Sequence, residues 1–279
     1  MLNLLNFYLK KEIMHKNTPD IKNHINSQYD ESHDRVKYLK DKYKGETAYI
    51  LASGPSFKEI PQEILQEKLK DKLVISIKQT FNDVPNLVDY HLLNFCNLTK
   101  YEYPNPNTIV GWTVWDNNQP NVIAQNFPVD FILGTYKLND GSPNIENSVA
   151  FNLDQIDLLD MNTELSRPWG PGTMYEIAIP LALYLGCTEI VTIGWDLFGS
   201  SIDRYKNDKE ALTQPHCYDN NSLVFKETDT AITKKEIIGT INSTESLYKW
   251  LQSKSINLKI VDPIGNNPAY KKIKRIKTI

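Results

Sequence analysis

The chain is poor in the residues that build covalent or metal frameworks. It has three cysteines, Cys96, Cys187 and Cys217, and five histidines in 279 residues. An odd, widely spaced set of cysteines excludes a disulfide scaffold and the paired spacings of a structural metal site, and it points to a reducing cytosol. Charge of one sign is also lacking: a formal net charge of -3 argues against life by non-specific phosphate attraction, although a local groove can still be basic. No apolar run approaches the ~20 residues of a membrane span. The opening MLNLLNFYLKKEIM has neither a basic start nor a small-residue cleavage site. Its Leu2, Leu5 and Leu9 share one face of a short helix, read as a packing or partner helix with a membrane-surface contact as the alternative. The expected location is cytoplasmic, with membrane association as its variant.

What is present is enough apolar content, 41%, to bury a core in one main domain. Residues 1–45 read as a polar, partly helical extension outside that core, with VKYLKDKY as a short surface helix ending at Gly45. From Thr47 the pattern changes. TAYILA and KLVISI read as buried strands around a helix, FKEIPQEILQEKLKD, and this strand–helix–strand unit of about 30 residues belongs to parallel sheets. VDYHLLNF, TIVGWTVW and VDFILG continue the strands. TMYEIAIPLALYLG reads as a long apolar helix stopped by Gly186, TEIVTIGWD as the next strand, STESLYKWLQSKS as a capped helix and NLKIVD as a further strand. The expected fold is α/β and Rossmann-like: a mostly parallel sheet with helices on both faces over residues 46–265. A long lid-like loop at about 199–236 and a solvated basic tail, 266–279, containing KKIKRIK, complete the reading.

In such sheets ligands sit outside the carboxyl ends of the strands, where a turn of small residues lets a ligand approach the backbone. Ser53-Gly54-Pro55-Ser56 fits that place. Gly54 permits an unusual dihedral, Pro55 fixes the next, and Ser56 caps the helix or donates to a phosphate oxygen, while the helix start offers unpaired N–H groups. The plain alternative is a capped turn without a ligand. PWGPG, residues 168–172, reads as a second ligand-facing loop, with a simple helix start as its alternative.

ILASGPSFKEI resembles the GxGPSL turn of the bacterial lipooligosaccharide sialyltransferases and related Rossmann-like glycosyltransferases. GPGTMYEIAIPLALYLGCTEIVTIGWDLF is similar to the helix–strand segment of the same family, about 120 residues further on. The resemblance implies glycosyl transfer from a cytidine nucleotide sugar, with inversion and without a metal. It places Ser53, Gly54, Pro55 and Ser56 along the nucleotide phosphate, and Lys78-Gln79 where the family has Asn-Gln. Asn94 falls at a nucleotide- or sugar-contacting Asn, Thr173 at a Ser, and Gly194-Trp195-Asp196 at the nucleoside-binding turn. Gly172 belongs to the loop before Thr173. The chain departs from the pattern at Ala52, Lys78, Phe198 and Thr240. Phe198 stands for a Tyr that assists the leaving phosphate, a role Tyr205 could match, and Thr240 stands where the catalytic His belongs.

Glycosyl transfer needs a base for the acceptor hydroxyl and donors for the departing phosphate. Ser53, Ser56, Lys78, Thr173 and Tyr205 serve the second need. For the base the candidates are His216, in the long loop, and Asp196, at a strand end; their plain alternatives are a solvated loop histidine and an aspartate capping a turn. His91 reads as a satisfied core or edge histidine, and Trp195 either stacks on a base or sugar or is core material.

The expected function is a glycosyltransferase moving a sugar from a cytidine- or uridine-type nucleotide sugar to a glycan or other hydroxyl acceptor, with no cofactor beyond the donor. A modified base in DNA is an alternative acceptor, to be revealed by salt dependence. A non-catalytic nucleotide-sugar-binding protein that has lost its base is the second class. A pterin-type diphosphokinase is the third, and would need magnesium carboxylates that the sequence does not place. A homo-oligomer is expected.

Overall fold

The structure is a computed structural model. It describes residues 18–28, 32–95, 100–114, 119–136, 167–168, 172–196, 211–213, 231–233, 244–245, 247–263 and 273–279. The strands are β1 (Thr47–Leu51), β2 (Leu73–Ile77), β3 (Tyr90–Asn94), β4 (Ile109–Val114), β5 (Phe131–Tyr136), β6 (Arg167–Pro168), β7 (Glu189–Ile193), β8 (Ala211–Thr213), β9 (Ala231–Thr233), β10 (Asn257–Val261) and β11 (Lys274–Ile276). Nine of them form one sheet in the order β11-β10-β7-β1-β2-β3-β4-β5-β6. Every pairing in it is parallel.

β2, β3 and β4 are buried throughout, as strands covered on both faces must be. Alternate residues feed two cores. Ile50, Ile75 and Leu92 face one, with Leu51, Val74 and Leu93 in the other. The first core is closed by helices α1 (Thr18–Gln28), α2 (Ser32–Leu39) and α5 (Ile179–Tyr184) and by Leu247 and Leu251 of the helical stretch near the carboxyl end. The second is closed by α3 (Gln62–Leu69) and α4 (Gln119–Asn126), through Leu65, Leu69 and Ile123. The α/β reading with helices on both faces holds, and the sheet is wholly rather than mostly parallel.

Four local expectations are corrected. Residues 18–43 are not outside the core: Ile21, Ile25, Val36, Leu39 and Tyr43 are buried in its larger cluster. Polar clamps hold them there. The Thr18 hydroxyl donates to Asp89 at 2.7 Å, Asn26 Nδ2 to the Asp130 carboxylate at 2.7 Å, and Arg35 to the Asp130 carbonyl at 2.9 Å. Secondly, FKEIPQEILQEKLKD is not one helix but a 3-10 turn, Pro55–Glu59, followed by α3. Pro61, in extended geometry, separates the two, because its ring forbids a continuous helix through the preceding residue.

Thirdly, the terminal basic segment is not a solvated tail. β11 pairs with β10, Ile273 is buried, and Arg275 bonds Asp262 at 3.0 Å. Finally, the long loop contains an antiparallel pair, β8 with β9; its other residues lie outside the described ones, as do Leu2, Leu5 and Leu9. No helix among the described residues is long and apolar enough to cross a membrane.

Candidate functional site

Strand order runs outward from β1 in both directions, through β2 to β6 on one side and through β7, β10 and β11 on the other. The switch therefore lies between β1 and β7. In open α/β sheets ligands bind outside the carboxyl ends at such a point, and the SGPS turn and Gly194-Trp195-Asp196 leave their strands here.

The two turns are bonded to each other. Ala52 N–H donates to Ile193 O at 2.7 Å and Gly54 N–H to Gly194 O at 2.7 Å. Ser56 gives its N–H to Asp196 Oδ2 at 2.7 Å and its hydroxyl to Asp196 Oδ1. Phe57 N–H returns to Gly54 O at 3.1 Å. The expected unpaired N–H groups at this helix start are thus taken up within the chain, and Asp196 caps the turn after β1. Gly54 has φ -69°, an ordinary extended value. It is glycine because a Cβ would press on the Gly194 carbonyl and the Asp196 carboxylate, not because of its dihedral. Gly194 does require the left-handed region, at φ 75°.

Asp196 is raised above the ordinary carboxyl range, chiefly by burial and also by Asp262, while the Ser56 bonds oppose the shift. Trp195 is buried edge-on against Tyr175, with ring centroids 6.1 Å apart. Its ring is core material, the plainer of the two readings. Ser53 is half-buried and Pro55 exposed on the turn.

A second group of polar residues lines the carboxyl ends of β2, β3 and β4. Lys78, directly after β2, adopts φ 50°, uncommon for a residue with a Cβ. Its carbonyl faces His91 Nε2 at 2.8 Å, and His91 Nδ1 faces the Tyr103 hydroxyl at 2.8 Å. A carbonyl only accepts, so Nε2 carries the proton and Tyr103 donates to Nδ1. Burial holds His91 down to about 3. It is a neutral, satisfied core histidine, as expected, and it pins the turn that carries Gln79.

Asn94 is the last residue of β3, and Gln79 lies in the 3-10 turn Lys78–Asp83 that follows the neighbouring strand β2. Both are buried. Asn94 Nδ2 donates to Glu176 Oε2 at 3.2 Å, and the Thr113 hydroxyl donates to the same oxygen at 3.2 Å. Glu176 belongs to a π-helical turn, Met174–Ala178, in which Ile179 N–H reaches back to Met174 O. This wide turn precedes Pro180, whose ring crowds the carbonyl of Glu176 four residues earlier. Gly172, at φ 83°, starts the helix by accepting from the N–H groups of Tyr175 and Glu176, both at 3.0 Å. The turn packs against β2 and β4.

Three buried polar atoms here have no hydrogen-bond partner: Gln79 Nε2, Asn94 Oδ1 and Thr173 Oγ1. Folded proteins seldom tolerate such groups, and each calls for a cause. Gln79, Asn94 and Thr173 were legible as candidates. Glu176 and Thr113 were missed, although a lone carboxylate within the apolar run TMYEIAIP was a signal of buried polar work. His216, Tyr205, Phe198 and Thr240 lie outside the described residues, as do residues 169–171 of the PWGPG loop.

Neither a protein-family model nor a curated protein matches the chain. Among solved structures it is similar to the sialyltransferase CstII from Campylobacter jejuni, described in complex with a substrate analogue, cytidine-5'-monophosphate. That likeness has 14% identity and a TM-score of 0.44 over 83% of this chain and 85% of the other. It is also similar to the MAf glycosyltransferase from Magnetospirillum magneticum AMB-1, with 12% identity, a TM-score of 0.44, and coverage of 95% of this chain and 38% of that one.

Proposed function

We propose that the chain is a glycosyltransferase that moves a sugar from a cytidine- or uridine-type nucleotide sugar to a hydroxyl acceptor, with inversion and without a metal. The observation that carries this reading is the set of unpartnered atoms on Gln79, Asn94 and Thr173 at the carboxyl edge of a parallel sheet. Each unpaired buried group costs about 1–3 kcal/mol. A polar ligand held there supplies the missing partners. The motif order SGPS, then Gly-Thr before a helix, then Gly-Trp-Asp, which resembles the sialyltransferases, names the ligand class.

In this reading Lys78, Ser53 and Thr173 offset the charge of the departing phosphate, and Tyr205 assists it. The acceptor proton goes to His216 or Asp196. Burial raises Asp196, the direction a general base near neutral pH requires. One observation favours a second reading, a nucleotide-sugar-binding protein without turnover: Ser56 engages both oxygens of the Asp196 carboxylate.

A thermal-shift panel of nucleotides and nucleotide sugars, with magnesium and with EDTA, tests the reading. A ligand at ~100 times its dissociation constant adds about 2.7 kcal/mol of apparent stability. A shift from one nucleotide class that EDTA leaves unchanged, with release of the nucleotide when an acceptor is added, is the expected result. A shift without release moves the protein to the second reading, and no shift from any nucleotide ends both.

A further inference from the structure

Asn94 is an amide whose orientation the fold decides. A carboxylate only accepts, so the contact with Glu176 Oε2 at 3.2 Å fixes Nδ2 on the Glu176 side. Oδ1 is thereby turned the other way, where it is buried and unpartnered. An acceptor held in this manner asks for a donor from its ligand. Gln79, in the 3-10 turn that follows the neighbouring strand β2, asks the reverse, since its unpartnered atom is the donor Nε2. The Thr173 hydroxyl, unpartnered three residues before Glu176, can meet either need.

A sugar hydroxyl both donates and accepts. It can donate to an acceptor such as Asn94 Oδ1 and accept from a donor such as Gln79 Nε2. An ionised sugar carboxylate has no proton to give, and against Oδ1 it sets two acceptors face to face. We propose that Glu176 is a positioning residue which, by fixing the Asn94 amide, makes this site select a neutral, hydroxyl-bearing sugar over a sugar acid. This rests on the nucleotide-sugar reading above and names the sugar class within it.

The test compares matched pairs by calorimetry on the full chain: UDP-glucose against UDP-glucuronate, and free glucose against free glucuronate, with CMP and UMP alone. Wild type is expected to prefer the neutral member by about tenfold or more, the size of one hydrogen bond to a buried group. Glu176→Gln frees the Asn94 amide to turn, because a glutamine can donate to Oδ1 as well as accept from Nδ2. The preference is then expected to narrow towards unity while affinity for CMP and UMP is unchanged. Glu176→Asp, which keeps an acceptor-only partner, is expected to retain the preference.

Tighter binding of the sugar acids by wild type overturns the proposal. So does an unaltered preference in folded Glu176→Gln, or a loss of equal size for CMP and UMP alone, which would make this a nucleobase site. If nucleotides fail to bind but free glucose is still preferred to glucuronate, the sugar-class proposal stands and the nucleotide-sugar reading falls. If nothing binds, both fall.

Discussion

Gly54 and Gly194 carry the closest approach in the molecule between its two turn motifs. Both turns were legible, since SGPS and Gly-Trp-Asp each follow an apolar run with small or polar residues. That they close on one another was not, because Ser56 and Asp196 stand 140 positions apart and only the strand order brings them together. Gly54→Ala is expected to cost about 1–3 kcal/mol by overpacking. It would force the new methyl against Gly194 O and the Asp196 carboxylate. Urea unfolding monitored by tryptophan fluorescence measures the loss; an unchanged midpoint would mean that the turns separate without penalty. Glu176 illustrates the opposite limit: its partners, Asn94 and Thr113, come from other strands, so no local pattern announces them.

At the scale of elements, the strands were the most readable parts, because each of β1, β2, β3, β4 and β7 is a run of apolar residues long enough to be buried on both faces. The last strand was misread for a physical reason. Edge strands carry lysines that discourage pairing with another chain, and this makes β11 look like a disordered basic tail. Ile273 is its anchor, buried at 4% exposure, beside the Arg275–Asp262 pair. Ile273→Ala is expected to cost about 2–5 kcal/mol and to lower the melting temperature, whereas Lys274→Ala on the exposed side is expected to lie within about 0.5 kcal/mol of wild type. Equal effects from the two substitutions would return β11 to the status of a tail.

Across the whole molecule, two buried groups oppose each other in their response to pH. Burial pushes Asp89 up to about 7, against hydrogen bonds from Val74 N–H and the Thr18 hydroxyl. Its folded value lies above the unfolded one, so the folded state binds more protons between about pH 4 and 7, and stability falls as pH rises through that window. His91, held down to about 3, does the reverse: its contribution is present above about pH 6.5 and is lost as pH falls towards 3. Asp89→Ala removes the first trend and leaves the second. The stability gap between wild type and Asp89→Ala, measured by urea unfolding, is expected to be larger at about pH 5 than at about pH 7.5. A gap independent of pH would mean that Asp89 is charged throughout. Because the Thr18 bond joins α1 to the start of β3, the same measurement reports how firmly the amino-terminal helices are docked.

The placement of β1 between β2 and β7 also has a consequence for synthesis on the ribosome. β2 follows β1 within a few seconds of translation, but the second neighbour arrives only after residue 189. At about 5–20 residues per second, the ~140 residues between Ser56 and Asp196 take roughly 7–30 s to emerge. For that interval the nascent chain carries an interior strand of its future sheet as a bare edge, open to other chains or to a chaperone. The turn after β1 is among the last pieces to close, because Asp196, which caps it, is made only after the Gly-Trp part of its own turn.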